Sequence, residues 1–178
     1  MTSTAAQSRS ERHDGFDLPD ADGLALRNLM AHFPTGVTIV GAHCESGDQG
    51  MTANSVTCVS LDPPIVAVCT AHGTRTERAI DSSGGFAVTF LAQHQGALAR
   101  RFARRDHDHF VGIRVSRTSL GHPHLPGGIG FVQCVVLSRI DAGDHAIFVA
   151  RVTDAVVRGG EPLVFFRSQF GALPQEHI

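Results

Sequence analysis

Tryptophan and tyrosine are both absent from the 178 residues of this chain. A base-stacking surface would have only the 11 phenylalanines to draw on, and the 15 Lys and Arg do not outnumber the 17 Asp and Glu. A net charge of −2 leaves no basic footprint for nucleic acid or for an anionic membrane surface. No stretch approaches the ~18 consecutive apolar residues of a membrane-spanning helix. The opening residues MTSTAAQSRSERHDG lack the apolar centre of a secretory signal. Cysteine is sparse: Cys44, Cys58, Cys69 and Cys134 are far apart, form no C-x-x-C pair, and three of them sit in apolar runs where a thiol acts as a small hydrophobe. Neither a disulfide framework nor a zinc site is expected, and the reading is of a cytoplasmic protein in a reducing compartment, with no nucleic-acid or membrane partner.

Several chemical signatures are missing too. No G-x-G-x-x-G follows a strand, and no G-x-x-x-x-G-K-[ST] is present, so a bound nucleotide would be held without those devices. Gly-x-Ser-x-Gly and any Ser-His-Asp arrangement are absent, which removes the usual footing for hydrolase chemistry. What remains is ordinary globular composition, 42% apolar and 18% charged, in a length that suits one domain. Residues 1–20 are polar and aperiodic and read as a mobile tail; residues 21–178 read as the folded domain.

Periodicity then sketches the elements. Leu26, Leu29, Met30 and Phe33 make one apolar helical stripe, stopped by Pro34-Thr35-Gly36. Val37–Ala42 is a β-branched run, and the polar turn Glu45–Gln49 leads into GMTANSVTCVSLDPP, which suggests a hairpin. Ile65–Thr70 reads as an interior strand, and Phe86–Leu91 as another. Thr74-Arg75-Thr76-Glu77 has the spacing of a capping box opening a helix through Ile80, and Gln93–Arg105 reads as a further helix. The segment 106–130 reads as irregular, and strands are expected at Phe131–Ile140, Ala146–Val157 and Leu163–Phe170. Many short strands with few helices indicate a mainly β fold with α decoration, an antiparallel barrel.

Four places could carry chemistry. The run Thr52-Ala53-Asn54-Ser55 puts hydrogen-bonding groups where an apolar alternation should begin. Buried hydroxyls and amides cost about 1–3 kcal/mol when unpaired, so these side chains either satisfy local backbone or line a polar-edged ligand. Thr74 with Arg75 and Thr76 marks a helix N-terminus, which is either a plain cap or a phosphate seat. Gly143-Asp144-His145 is a hairpin turn that places a group titrating near neutrality at a barrel rim. Asp106-His107-Asp108-His109, with His122 and His124 beyond it, matches no compact metal spacing and reads as a solvated loop next to Arg104 and Arg105.

Taken together, FPTGVTIVGA, GMTANSVTCVSLDPPIVAVC, SSGGFAVTFL, RRFA, DHFVG, AGDHAIFVARVTDA and EPLVFFRSQFGAL resemble, in that order, the short-chain flavin reductases. These are the reductase components of two-component flavin monooxygenases, and the resemblance spans about residues 26–173. It implies a split β-barrel with a Greek-key core, a homodimer, and FMN or FAD reduced by NADH or NADPH for delivery to a separate oxygenase. Carried over by position, it implies that Thr52, Ala53, Asn54 and Ser55 contact the isoalloxazine and ribityl chain, with Cys69 and Thr70 bordering them through backbone groups. It places Thr74, Arg75 and Thr76 at the phosphate, Arg101 and Phe102 closing that side, His145 by the nicotinamide, and Arg167 to Phe170 near the same dinucleotide. Hydride would pass from nicotinamide C4 to flavin N5 without a protein nucleophile, the protein stacking the rings at about 3–3.5 Å.

Three positions depart from the family pattern. Thr89 stands where an asparagine amide usually faces the flavin, Phe131-Val132-Gln133-Cys134 replaces a Trp-containing stretch, and Phe165, Phe166 and Phe170 occupy places that often hold Tyr and His. Two rival readings use the same residues: a flavin-binding module without NAD(P)H turnover, and a split-barrel oxidase holding FMN as a prosthetic group.

Overall fold

The β-branched runs and the turn residues between them set the strands, and a computed structural model of the chain describes residues 21–105 and 108–174. The expected tail at 1–20, together with Asp106 and His107 of the Asp/His cluster, lies outside the described residues. In chain order the elements are α1 (Gly23–Met30), β1 (Thr35–Gly36), β2 (Thr38–Cys44), β3 (Gly47–Ala53), β4 (Thr57–Leu61), β5 (Pro64–Ala71), α2 (Arg75–Ser83) and β6 (Gly85–Phe90). A short 3₁₀ turn (Gln93–Gln95) precedes α3 (Gly96–Phe102), followed by β7 (Ser116–Arg117), β8 (Pro123–His124), β9 (Gly130–Ala142), β10 (His145–Val157), β11 (Val164–Phe166) and β12 (Gln169–Gly171).

Seven strands form one sheet in the order β3-β2-β6-β9-β10-β5-β4, and every pairing in it is antiparallel. Its two edges, β3 and β4, are consecutive in the chain and joined only by Asn54–Val56. A flat sheet would hold these edges six spacings apart, roughly 29 Å at ~4.8 Å per strand. The four Cα steps from Ala53 to Thr57 reach at most about 14 Å. The sheet therefore has to curl until its edges meet without pairing, which is a split barrel.

Alternation fills the interior. Val66, Val68 and Thr70 of β5 point inward, and across the ladder Ala146, Phe148 and Ala150 of β10 do the same. Phe86 and Val88 of β6, Val40 and Ala42 of β2, and Ala79 and Ile80 of α2 complete this core. Strand β2 is buried on both faces: Val37 and Ile39 pack the other way, with Leu91, Ala99, Phe102, Leu125 and Leu163, against α3. Gly41 is required where β8 crosses β2, because a Cβ there would lie 2.5 Å from the Pro123 carbonyl oxygen.

Several expectations change. The turn of the first hairpin is only Glu45-Ser46, and Asp48 and Gln49 belong to β3. The expected strand Leu163–Phe170 is a hairpin, bent at Arg167 and Ser168, whose φ values of 47° and 62° are left-handed. It pairs with β1 in a separate three-stranded sheet. The helix expected from Gln93 to Arg105 shortens to Gly96–Phe102. The apolar stripe of α1 does not face the core: Leu26, Leu29, Met30 and Phe33 are 53–69% exposed.

Candidate functional site

Strand β5 ends at Ala71, and the chain turns into α2 through His72 and Gly73, with Gly73 at φ +74°. A side chain at that φ would be strained, so glycine lets the turn be tight. Thr74 is the N-cap: its Oγ1 accepts from the Glu77 N–H at 3.2 Å and donates to the Ala71 carbonyl at 3.0 Å. The capping residue behaves as its spacing predicts. Glu77 does not close the box on the N-cap; its Oε2 takes the N–H of Gly73, one residue earlier, at 2.6 Å. Arg78 donates to the Gly73 carbonyl at 2.7 Å.

The facing wall comes from β3 and the end of α3. Thr52 donates its hydroxyl to the Ala99 carbonyl at 2.7 Å, tying strand to helix. Phe102, 1% exposed, meets Phe110 edge to face at 4.9 Å. Arg101 turns away from the opening and donates to the carbonyls of His109 (2.8 Å) and Val111, folding that segment back. The His109 ring then lies between two carbonyl oxygens, 2.8 Å from Gly50 and 2.8 Å from Arg104.

Between these walls is a cavity of about 500 Å³, within the range of small-ligand sites. Gln49–Thr52, Ala71–Thr76, Arg78, Phe102–Arg105 and His109 line it. Four of the lining residues are arginines, Arg75, Arg78, Arg104 and Arg105, and none of the described lining residues is a carboxylate. Met51, Ala71, Phe102 and Ala103 add an apolar portion. An anionic tail joined to a flat apolar body fits this donor set: arginines and the first turn of α2 for the anion, and the strand–helix wall for the body. The residues present therefore suit a phosphorylated ring cofactor such as a flavin nucleotide.

The expected site residues divide. Thr52, Thr74, Arg75, Thr76 and Phe102 meet in this cavity. Ala53 is buried in the core and its carbonyl accepts from Thr38, while Asn54 is exposed in the crossover. Ser55 bridges both backbone groups of Cys69, donating to its carbonyl (3.2 Å) and accepting from its N–H (3.3 Å). Two members of the polar run, Thr52 and Ser55, thus have backbone partners, as the first of the two readings requires, but partners that the fold brings from distant segments rather than local ones. Thr70 is fully buried and its hydroxyl has no hydrogen-bond partner among the described residues.

Five residues lie elsewhere. Thr89 is sealed inside β6, where its hydroxyl accepts the Leu125 N–H at 3.0 Å, so it contributes nothing to the cavity. Arg101 acts on the wall from behind, because its guanidinium is spent on backbone carbonyls. Arg167 and Phe170 belong to the β11–β12 hairpin, where Arg167 lies over Phe166 at 5.3 Å and Phe170 packs on Phe165 at 5.4 Å. His145 stands opposite Ala71 in the β5–β10 ladder, at the rim, with Nδ1 2.7 Å from Asp144. The hydrogen bond from His145 holds the Asp144 carboxyl below its ordinary range.

Sequence reasoning missed His72, Arg78, Arg104, Arg105 and His109. The density of arginine in ARRFARR was the available signal, but spacing alone could not show that this segment folds back onto β3. Among the described residues no group of three or more His, Cys, Asp or Glu could hold a metal ion. Of the Asp/His cluster, Asp108 accepts from the Phe110 N–H and His109 is committed to carbonyls. No helix among the described residues is long and apolar enough to cross a membrane.

Comparison with known proteins points the same way. The flavin reductase-like domain matches residues 30–174. Among curated relatives, the "actinorhodin polyketide dimerase" of Streptomyces coelicolor is 40% identical over 86% of this chain and 88% of its own. The "flavin-dependent monooxygenase, reductase subunit HsaB" of Rhodococcus jostii is 35% identical over 84% and 77%. Among solved structures, the NADH:FAD oxidoreductase SgcE6 of Streptomyces globisporus, in complex with NAD and FAD fragments, superposes with a TM-score of 0.81 at 32% identity, covering 86% of this chain and 93% of that one. With its split barrel, its cationic cavity and a match over most of its length, this chain belongs to the flavin reductase-like domain family.

Proposed function

We propose that the protein oxidises NADH to reduce FMN or FAD and passes the reduced flavin to a separate monooxygenase. The carrying observation is the cavity in which four arginines, the first turn of α2 and the β3–α3 wall converge. Hydride transfer between the two bound rings supplies the chemistry; the chain supplies binding, orientation and exclusion of water. In this reading Thr74, Arg75 and Thr76, with Arg104 and Arg105, hold the flavin phosphate. Thr52 and Phe102 would border the ring side, and Asn54 and the backbone of Cys69 would be its further partners in this reading.

His145 orients the nicotinamide, with Asp144 fixing its ring. The Arg167–Phe170 hairpin, whose Phe170 packs on the same cluster as Phe102, belongs to the dinucleotide side in this reading, and the exposed stripe of α1 supports a homodimer. A cytoplasmic location belongs to the same reading.

The test is NADH oxidation by the full chain with and without added FMN or FAD. Turnover only when flavin is supplied supports the reductase; none under either condition refutes it. His145→Ala should lower kcat/KM for NADH roughly tenfold, about 1.4 kcal/mol, through a raised KM. Unchanged kinetics removes His145 from the site.

A further inference from the structure

Glu77 contributes no atom to the cavity, yet its surroundings are built around the turn that does. Its side chain is 8% exposed. A carboxylate so enclosed is costly unless donors surround it, and three do. Oε2 accepts from Gly73 N–H at 2.6 Å, and Oε1 accepts from His72 Nδ1 at 3.0 Å and Arg139 Nη2 at 2.9 Å. Burial opposes its ionisation, but these donors outweigh it and hold the carboxyl below the ordinary range. Two of the three belong to residues 72 and 73 of the cavity wall. The third comes from β9 and is itself held by Asp141 at 3.1 Å. The His72 N–H, in turn, donates to the Asp144 carbonyl at 3.0 Å.

The helix does not need this carboxylate as its cap, because Thr74 already takes the Glu77 N–H. A negative charge behind a cavity lined by four arginines also works against an anionic ligand. Repulsion of an anionic ligand, taken alone, would favour glutamine at this position. We infer that Glu77 is a positioning residue: it pins the 72–74 turn to β9 so that the turn and the first residues of α2 present a fixed seat to the flavin phosphate. The inference rests on the flavin reading above and deepens it. It separates the two ends of the ligand, because the phosphate end depends on the pinned turn and the ring end does not.

The two effects of Glu77 predict opposite signs, which makes the idea testable by binding alone. Flavin fluorescence quenching is titrated on the full chain with FMN and with riboflavin, which has the same ring and no phosphate. Glu77→Gln removes the charge but turns an amide N–H toward one of the donors. Glu77→Asp keeps the charge but shortens the reach. The expected result is that both variants weaken FMN about tenfold while riboflavin stays within about twofold, so the preference for FMN collapses. Stronger FMN binding by Glu77→Gln, with Glu77→Asp unchanged, shows a mere neighbouring charge and overturns the inference. Parallel loss of riboflavin and FMN binding, or failure of the charge-keeping Asp variant to fold, makes Glu77 a scaffold residue and overturns it as well. If the wild-type chain quenches neither of these nor FAD, the flavin reading itself fails, and this inference falls with it.

Discussion

Thr74→Ala separates a helix cap from a ligand seat. The hydroxyl makes two bonds, accepting from the Glu77 N–H at 3.2 Å and donating to the Ala71 carbonyl at 3.0 Å. An N-cap of this kind contributes ~1 kcal/mol, and the bond to Ala71 adds a similar net amount, so alanine should cost about 1–2 kcal/mol. In a domain of this size each 1 kcal/mol lowers Tm by roughly 2–4 °C, giving an expected drop of about 2–8 °C in calorimetry. Thr74→Ser keeps the oxygen and should melt within about 1 °C of wild type. The same change frees the turn that faces Arg75 and Thr76, so FMN should bind about fivefold more weakly, a loss of ~1 kcal/mol. Thr74→Ser should bind as wild type does. An unchanged Tm for the alanine variant would refute the capping geometry. A lowered Tm with unchanged FMN affinity would show that the cap serves the helix alone, and the phosphate seat would have to be sought among the arginines.

Three further outcomes follow from the geometry. Arg104→Gln with Arg105→Gln should weaken FMN about tenfold at low salt and leave riboflavin nearly unaffected. The deficit should shrink as ionic strength rises and the screening length falls toward ~8 Å; a salt-independent deficit would speak against a charge role. Burial pushes the Cys134 thiol up to about 12, so it should resist thiol reagents in the folded protein while exposed Cys58 reacts, and rapid labelling of Cys134 would contradict the buried barrel core. Acid should destabilise in two stages. His122 and His124 are held below their ordinary pKa, mainly by burial, so the unfolded chain takes up protons first and stability falls as pH drops below about 6.5. Burial opposes ionisation of Glu77 and Asp48, but their hydrogen-bond donors outweigh it and keep both carboxyls depressed. Their contribution is full above the unfolded value and is lost below about pH 4. Urea midpoints that stay flat between pH 7 and pH 5 would refute the histidine stage.

How much of this was legible in the sequence depended on whether the partner was local. The Thr74 cap needs only residues 71 to 77, so its spacing announced it. That Ile65–Thr70 forms a strand was readable for the same reason, but a uniformly apolar run does not show which parity faces inward, and the structure turns Val66, Val68 and Thr70 that way. Arg101 and Thr89 went astray because their partners are not local: a carbonyl at Val111 and an N–H at Leu125. Residue type shows that such groups seek partners and is silent on which partner the fold supplies. The α1 stripe was visible as a stripe, yet periodicity says only that a face is apolar, not what covers it. His109 was read as solvated, because nothing in DHDH shows that Arg101 folds the segment back onto Gly50.

The polar run at 52–55 makes physical sense once the barrel's split is taken into account. The sheet's edges meet there without pairing, because β3 ends at Ala53 and the β4–β5 ladder begins only at Thr57 and Ala67. Backbone groups beside such a seam have no neighbouring strand, and buried ones left unpaired cost about 1–3 kcal/mol each. Ser55 takes the missing strand's place against Cys69, supplying one acceptor and one donor from a single hydroxyl. Thr52 instead ties β3 to α3 through the Ala99 carbonyl, which also accepts from the Ala103 N–H. Hydroxyl residues are what a seam requires, since they bond backbone without demanding a ladder. Of the run only Thr52 also lines the cavity, and the hydroxyl hydrogens of both Thr52 and Ser55 are spent on backbone carbonyls, so the polar character of the segment is accounted for by the seam before any ligand is considered.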